Sequence, residues 1–140
     1  MPRTTDTAQI LSALILISRR GVSDARTPDI ALSMTAQSIV GYIVDNPGCR
    51  AADIARDFRL NRSTVSRQLG DLVRAGLVSE VEGPGRGRPL ELTDAGAQAY
   101  RETIAVLTGA VADAMRDWSD GDVDRFAHDL ARFTARAHTD

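Results

Sequence analysis

The sequence has no lysine: all 17 basic side chains are arginine. Genome base composition yields that bias as readily as function does, so it excludes nothing alone. There is one cysteine, Cys49, which excludes an intrachain disulfide. Aromatics are only 4% of the 140 residues, and alanines are many, which suits closely packed helices. Long hydrophobic runs are missing too. The longest, Ala13 to Ile17 with Ile10 and Leu11 before it, falls far short of the roughly 20 residues that cross a bilayer. No stretch has signal-peptide architecture, so the expected location is cytoplasmic. The residues of an enzyme do not assemble either. There is no Ser/His/Asp set, no cysteine pair and no Gly-rich loop placed between a strand and a helix. The chain therefore reads as a non-enzyme with no cofactor. His128 and His138 are ten residues apart and fall on nearly opposite faces of a helix, which argues against a two-histidine metal site.

A chain of 140 residues makes one domain, or one subunit of an oligomer. Its net charge of −2 hides an uneven distribution. Met1 to Cys49 is neutral, with four arginines and four acids. Arg50 to Leu90 carries eight arginines against five acids, net +3. Glu91 to Asp140 carries five against ten, net −5. Positive charge thus collects in the middle of the chain.

Periodicity predicts a mainly α protein with a small β ribbon. Residues 1–5 read as frayed. A first helix, capped by Asp6 or Thr7, runs to about Arg20 and ends at Gly21. Its residues Ile10, Leu11, Leu14, Ile15 and Ile17 span so wide an arc that burial against several partners, a second subunit included, is expected. Val22 to Asp29 is a polar loop. A second helix, capped by Ser33 or Thr35, carries Ile39, Val40, Ile43 and Val44 and stops before Asn46-Pro47-Gly48. The third places Ile54, Ala55 and Phe58 inward, and Arg59-Leu60 is the turn. The fourth begins at Asn61 or Ser63; Val65, Leu69, Leu72 and Val73 face the core, and Gly76 ends it. Leu77 to Glu82 and Pro89 to Thr93 alternate as strands. A long helix then runs to about Trp118 with Tyr100, Ile104, Leu107, Val111 and Trp118 in its stripe. Asp120-Gly121-Asp122 breaks it, and a last helix over about 122–137 carries Val123, Phe126, Ala127, Leu130 and Phe133. The expected division is 1–34, an N-terminal helix and loop; 35–93, a winged helix-turn-helix; and 94–140, two C-terminal helices, the outer two parts being dimerisation segments on the family resemblance given below.

The core stripe of the fourth helix leaves Arg62, Ser63, Thr64, Ser66, Arg67 and Gln68 on the other side. The major groove of duplex DNA admits one helix and offers donors and acceptors on base edges, so short polar side chains and arginine near a helix N-terminus suit it. A solvated helix face accounts for the serines and threonine about equally well. The neighbouring turn, Gly76 and the ribbon favour DNA. The ribbon tip, Gly83-Pro84-Gly85-Arg86-Gly87-Arg88-Pro89, is more specific. Arg86-Gly87-Arg88-Pro89 resembles the core of the AT-hook, in which glycine avoids the groove walls and arginine meets the negative potential of a narrow minor groove. The plainer reading is a hairpin loop kept soluble by arginine. Arg62, Ser63, Thr64, Ser66, Arg67 and Gln68, with Arg86 and Arg88, are the candidate DNA-binding residues.

From about Thr7 to His138 the chain resembles the MarR family of bacterial transcriptional regulators. Thr35-Ala36-Gln37 with Ile39 to Ile43, then Ala52-Asp53-Ile54-Ala55, then Ser63 to Arg67 with Leu72 and Gly76-Leu77-Val78, match its second, third and fourth helices. Leu92-Thr93-Asp94-Ala95-Gly96 matches the Leu-Thr-x-x-Gly that closes its wing and is the strongest of these signals. The resemblance implies a homodimer with intertwined first, fifth and sixth helices. Its recognition helices would enter successive major grooves of a palindromic operator, with half-sites about one helical turn apart. It also implies a ligand-responsive repressor. A small aromatic or phenolic effector would bind between dimer helices and winged domain and change the spacing of the recognition helices.

Two positions depart from the family. Its wing carries Asp-x-Arg; the arginine falls on Arg86, but the acid falls on Pro84. With Gly85 and Gly87 added, a loose tip that orders on DNA is expected. The small hydroxyl cap of the third helix is replaced by Arg50, at a cost of about 1 kcal/mol unless Asp53 or water compensates. Cys49 reads as a small buried hydrophobe; Arg50 beside it keeps a low-pKa redox thiol in view. The competing function is a winged-helix protein–protein module without DNA binding, for which the acidic C-terminal third would supply a partner surface.

Overall fold

A computed structural model of the chain describes residues 2–20 and 32–137. Six helices and one ribbon follow in order: α1 (Pro2–Arg20), α2 (Met34–Asp45), α3 (Ala51–Phe58), α4 (Arg62–Arg74), β1 (Val78–Glu80), β2 (Leu90–Leu92), α5 (Asp94–Ala114) and α6 (Asp120–Ala137). The expected class, mainly α with a small β-wing, is what the chain adopts. Contacts divide it into two compact units, Ala25–Val106 and Met1–Asp24 with Leu107–Asp140.

The first of these contains a single core. Ile39, Val40 and Ile43 of α2 meet Ile54 and Ala55 of α3, Val65, Leu69 and Leu72 of α4, Val78 and Leu90 of the ribbon, and Ala99 of α5. Val73, expected inside, is 37% exposed. Eight residues of helix rotate it about 80° from Val65, whereas Leu72 lies only about 20° away. Ser33 caps α2, its side chain accepting from the Ala36 N–H at 3.2 Å. The Asn-Pro-Gly turn ends that helix, and the Cys49 N–H returns to the Asn46 carbonyl at 3.0 Å.

Helices α3 and α4 end alike. The Leu60 N–H reaches the Ala55 carbonyl and the Arg59 N–H the Arg56 carbonyl; Leu77 to Leu72 and Gly76 to Val73 repeat the pattern. Each is a Schellman motif, which needs a left-handed residue just past the helix. Gly76 supplies φ +76° without strain, while Arg59 adopts φ +54°. For a side-chain-bearing residue that costs about 1–2 kcal/mol.

Tyr42 ties α2 to α3. Its hydroxyl donates to Asp57 Oδ2 at 2.5 Å, and its ring meets Phe58 edge-on at 5.5 Å. The Tyr42 hydrogen bond, then that of Arg56, holds the Asp57 carboxyl below its ordinary range. A depressed carboxylate contributes stability above its unfolded pKa and loses it as pH falls through the lower folded value. The link should therefore weaken only below about pH 4. Tyr42→Phe is expected to move the Asp57 titration back up, read by carboxyl NMR; an unmoved titration would refute the link.

The strands are antiparallel, Val78 opposite Leu92 and Glu80 opposite Leu90. They are shorter than the expected Leu77–Glu82 and Pro89–Thr93. One more bond, from the Val81 N–H to the Pro89 carbonyl at 2.9 Å, extends the ribbon before Gly83-Pro84 leaves it. Thr93 joins the ribbon to α5. Its hydroxyl donates to the Gly76 carbonyl at 2.6 Å and accepts from the Gly96 N–H at 3.0 Å. The Thr and Gly of the Leu-Thr-x-x-Gly segment thus fasten the start of α5 to the exit of α4. Within the single chain, the buried residues of α5 are Gly96, Ala99 and Thr103. Ile104 and Val111 of the expected apolar stripe are 41% and 39% exposed, which leaves that stripe open to a second subunit.

In the other unit, α1 starts at Pro2 rather than at a cap near Asp6. Proline suits a first helical position, where its missing N–H costs nothing. Thr7 lies inside the helix, its hydroxyl donating to the Arg3 carbonyl at 2.6 Å. Gly21 and the Val22–Asp29 loop fall outside the described residues, as does His138. Helix α5 stops at Ala114, four residues before Trp118. Ser119 caps α6 instead, its hydroxyl accepting from the Asp122 N–H at 3.1 Å. Asp120 and Asp122 are therefore not a break but the first turn of α6, where acids favour the helix dipole. Trp118 meets Phe126 edge-on, ring centroids 5.3 Å apart.

Candidate nucleic-acid interface

Helix α4 is placed by its cap. The Asn61 side chain accepts from the Thr64 N–H at 2.8 Å, and the Ser63 hydroxyl donates to the same oxygen at 2.8 Å. Val65 and Leu69 anchor the inner face. Arg62, Ser63, Ser66 and Arg67 are then exposed, with Thr64 and Gln68 half-buried beside them. Arg62 and Arg67 have no ion pair among the described residues.

The wing tip brings Arg86 and Arg88 to the same side. Arg62, Ser66, Arg86 and Arg88 line one cleft of about 400 Å³, together with Arg50, Glu80 and Ala51-Ala52 at the start of α3. Ser63, Thr64, Arg67 and Gln68 lie outside its lining. Arg86 has no partner among the described residues. Arg88 stands 3.8 Å from Glu82, a pair so exposed that it contributes little. Four guanidinium groups against one carboxylate make the cleft a site for anions, and the adjoining helix N-termini add to that preference.

Arg50 stands where a cap of α3 belongs and beside Cys49. Asp53 does compensate, its Oδ2 accepting from the Arg50 N–H at 2.9 Å. The Arg50 side chain makes no cap bond of its own and instead donates through Nη2 to the Pro84 carbonyl of the wing. That bond ties the tip to the α3 entrance. The local signal available was an arginine where a cap belongs, with an acid three residues later. Its long-range destination has no sequence signature. Cys49 is buried, and burial, followed by Asp53, raises its thiol pKa. With Arg50 turned to the wing, the low-pKa thiol loses the cation it needed.

Residues 32–89 match the model of the MarR family. That match spans the winged helix and less than half of the chain. Solved structures agree in fold. A MarR family protein from Bacillus stearothermophilus has a TM-score of 0.81 at 16% identity, over 99% of both chains. The transcriptional regulator BldR from Sulfolobus solfataricus has 0.75 at 20% identity, over 97% of this chain and 99% of that one. A MarR family protein of Mycobacterium tuberculosis, in complex with salicylic acid, has 0.69 at 23% identity, over 89% and 93%. No curated protein sequence matches the chain. Among the described residues, no helix is long and apolar enough to cross a membrane, and no three His, Cys, Asp or Glu side chains cluster as metal ligands.

Proposed function

We propose that this chain is a homodimeric transcriptional regulator that binds a palindromic duplex operator, with α4 in the major groove and the Arg86/Arg88 tip in the minor groove. The observation that carries the reading is the cleft where Arg62 and Ser66 of α4 meet Arg86 and Arg88 of the wing. Phosphate contacts from Arg62 and the helix N-terminus set the register, and Arg67 and Gln68 read base edges. Duplex binding measured at several salt concentrations tests it. A DNA-binding chain loses affinity with a log–log slope of about −0.9 for each phosphate contact. A protein–protein module shows no such dependence, and that result would end the reading. Arg67→Ala is expected to cost about 1–3 kcal/mol at one base position while the salt slope hardly changes. A uniform loss over all operator variants would place Arg67 on phosphate instead.

Dimerisation is supported by exposed apolar surface in the Met1–Asp24 and Leu107–Asp140 unit. Leu11 and Leu16 of α1 are 57% and 50% exposed, and Phe126, Leu130 and Phe133 of α6 are 45%, 44% and 45% exposed. Apolar surface of that extent on a soluble chain marks an interface. Sedimentation at twice the chain mass is the expected result.

The mode of regulation is a repressor released by a small effector. Gln37 Nε2 and Oε1 and Thr103 Oγ1 are buried without a hydrogen-bond partner among the described residues. Each such orphan costs about 1–3 kcal/mol, which makes Gln37 and Thr103 the side chains to vary in testing for an effector. Salicylic acid, bound by the M. tuberculosis protein, is the first probe. A rise in melting temperature that Gln37→Leu abolishes supports the effector role.

A further inference from the structure

We propose that Arg50 positions the wing, holding its tip in the pose that offers Arg86 and Arg88 to DNA; this rests on the DNA-binding reading above. The side chain is fixed at its root. The Asp53 carboxylate accepts from its backbone N–H, and one residue earlier the Cys49 carbonyl accepts from the Leu90 N–H of β2 at 2.8 Å. At its far end, Nη2 donates to the Pro84 carbonyl. The three tip glycines close around it. A Cβ at Gly83 or Gly85 would stand 3.7 or 3.9 Å from Arg50 Nη2, and one at Gly87 3.9 Å from Arg50 Cδ. At Gly83 it would also meet Pro89 Cγ at 2.7 Å, so no side chain fits there.

Gly85 and Gly87 adopt φ +93° and +74°, and a loop so rich in glycine loses much conformational freedom when it orders. A charge-assisted hydrogen bond from a half-buried guanidinium orders the tip before DNA arrives, so binding is spared that cost. Arg50 does this from beneath the tip through the Nη2 donor, while its Nε is buried without a partner among the described residues. It acts through Arg86 and Arg88 rather than on phosphate.

The test uses the full chain, an operator duplex and three variants. Arg50→Ala is expected to weaken binding about tenfold per subunit, the loss of one charge-assisted hydrogen bond in each, with the salt slope unchanged. In the Arg86→Ala/Arg88→Ala background it should add nothing, since there is no arginine left to position. In the DNA-free protein, exchange of the Val81 amide, which bonds the Pro89 carbonyl where the tip leaves the ribbon, should accelerate. Arg50→Met keeps the stem under the tip and removes only the donors, so it carries the test if Arg50→Ala does not fold. Arg50→Lys should restore part of the affinity. A salt slope lowered by about one per site would make Arg50 a phosphate contact and overturn the proposal. An additive loss in the Arg86/Arg88 background, or unchanged amide exchange, would overturn it as well. If the wild-type chain shows no salt-dependent binding, the DNA reading fails, and exchange in the free protein alone decides whether Arg50 holds the tip.

Discussion

Replacing both wing arginines, Arg86→Ala with Arg88→Ala, is expected to weaken duplex binding on the order of a hundredfold and to flatten its salt dependence. Both side chains are exposed, and among the described residues only Arg88 of the two has an ion-pair partner, Glu82 at 3.8 Å. Surface changes of this kind leave folding stability within about 0.5 kcal/mol, so the melting temperature should stay where it is. That separation lets the loss be assigned to the interface. The slope should fall by about 0.9 for each phosphate contact removed, and a two-fold symmetric dimer removes each contact twice. The loss should also be broad across operator sequences, since groove potential rather than a base edge attracts these groups. An unchanged affinity would take the wing out of the mechanism and leave α4 as the sole reader.

Gly96→Ala is expected to be the most destabilising single methyl in the chain. A Cβ at that position would lie 1.9 Å from the Leu77 carbonyl oxygen and 2.8 Å from its carbon. Both are backbone atoms at the exit of α4, held there by the Thr93 bonds to Gly76 and Leu77. Neither can rotate away, so α5 must move off the ribbon. Alanine in a helix gains up to about 1 kcal/mol over glycine, and overpacking usually costs 1–3. A backbone clash this deep lies beyond that range, and a net loss of about 3 kcal/mol or more is expected in urea unfolding. Gly41→Ala is the control. Its Cβ would meet the Tyr100 ring at 3.5 Å, an ordinary contact, and should cost little or even stabilise. Equal, small effects of the two substitutions would show that α5 does not need its close approach.

The helix-turn-helix was legible because its signals are local. Asn61 caps, Val65 to Leu72 repeats at helical spacing, and Gly76 sits where a left-handed residue is needed. The polar face of α4 followed from the apolar one by geometry alone. Helix ends were less legible. Asp120 and Asp122 look like a break in the chain, yet with Ser119 they are a start, because one hydroxyl in the right rotamer decides between the two. Helix α5 shows the limit of periodicity. Tyr100, Ile104 and Val111 form its larger stripe, but Gly96, Ala99 and Thr103 are what the single chain buries. Hydrophobicity ranks faces by size, and close approach selects the smallest.

By itself, the amino-acid order determined which segments are helical, which carry positive charge, and which face of α4 is turned outward. Those properties depend on residues within a few turns of one another. Only the tertiary structure decided that Arg50 reaches the wing 34 residues away, and that Gly96 must have no side chain. Both depend on what another part of the backbone occupies, and nothing in the spacing of neighbours encodes that.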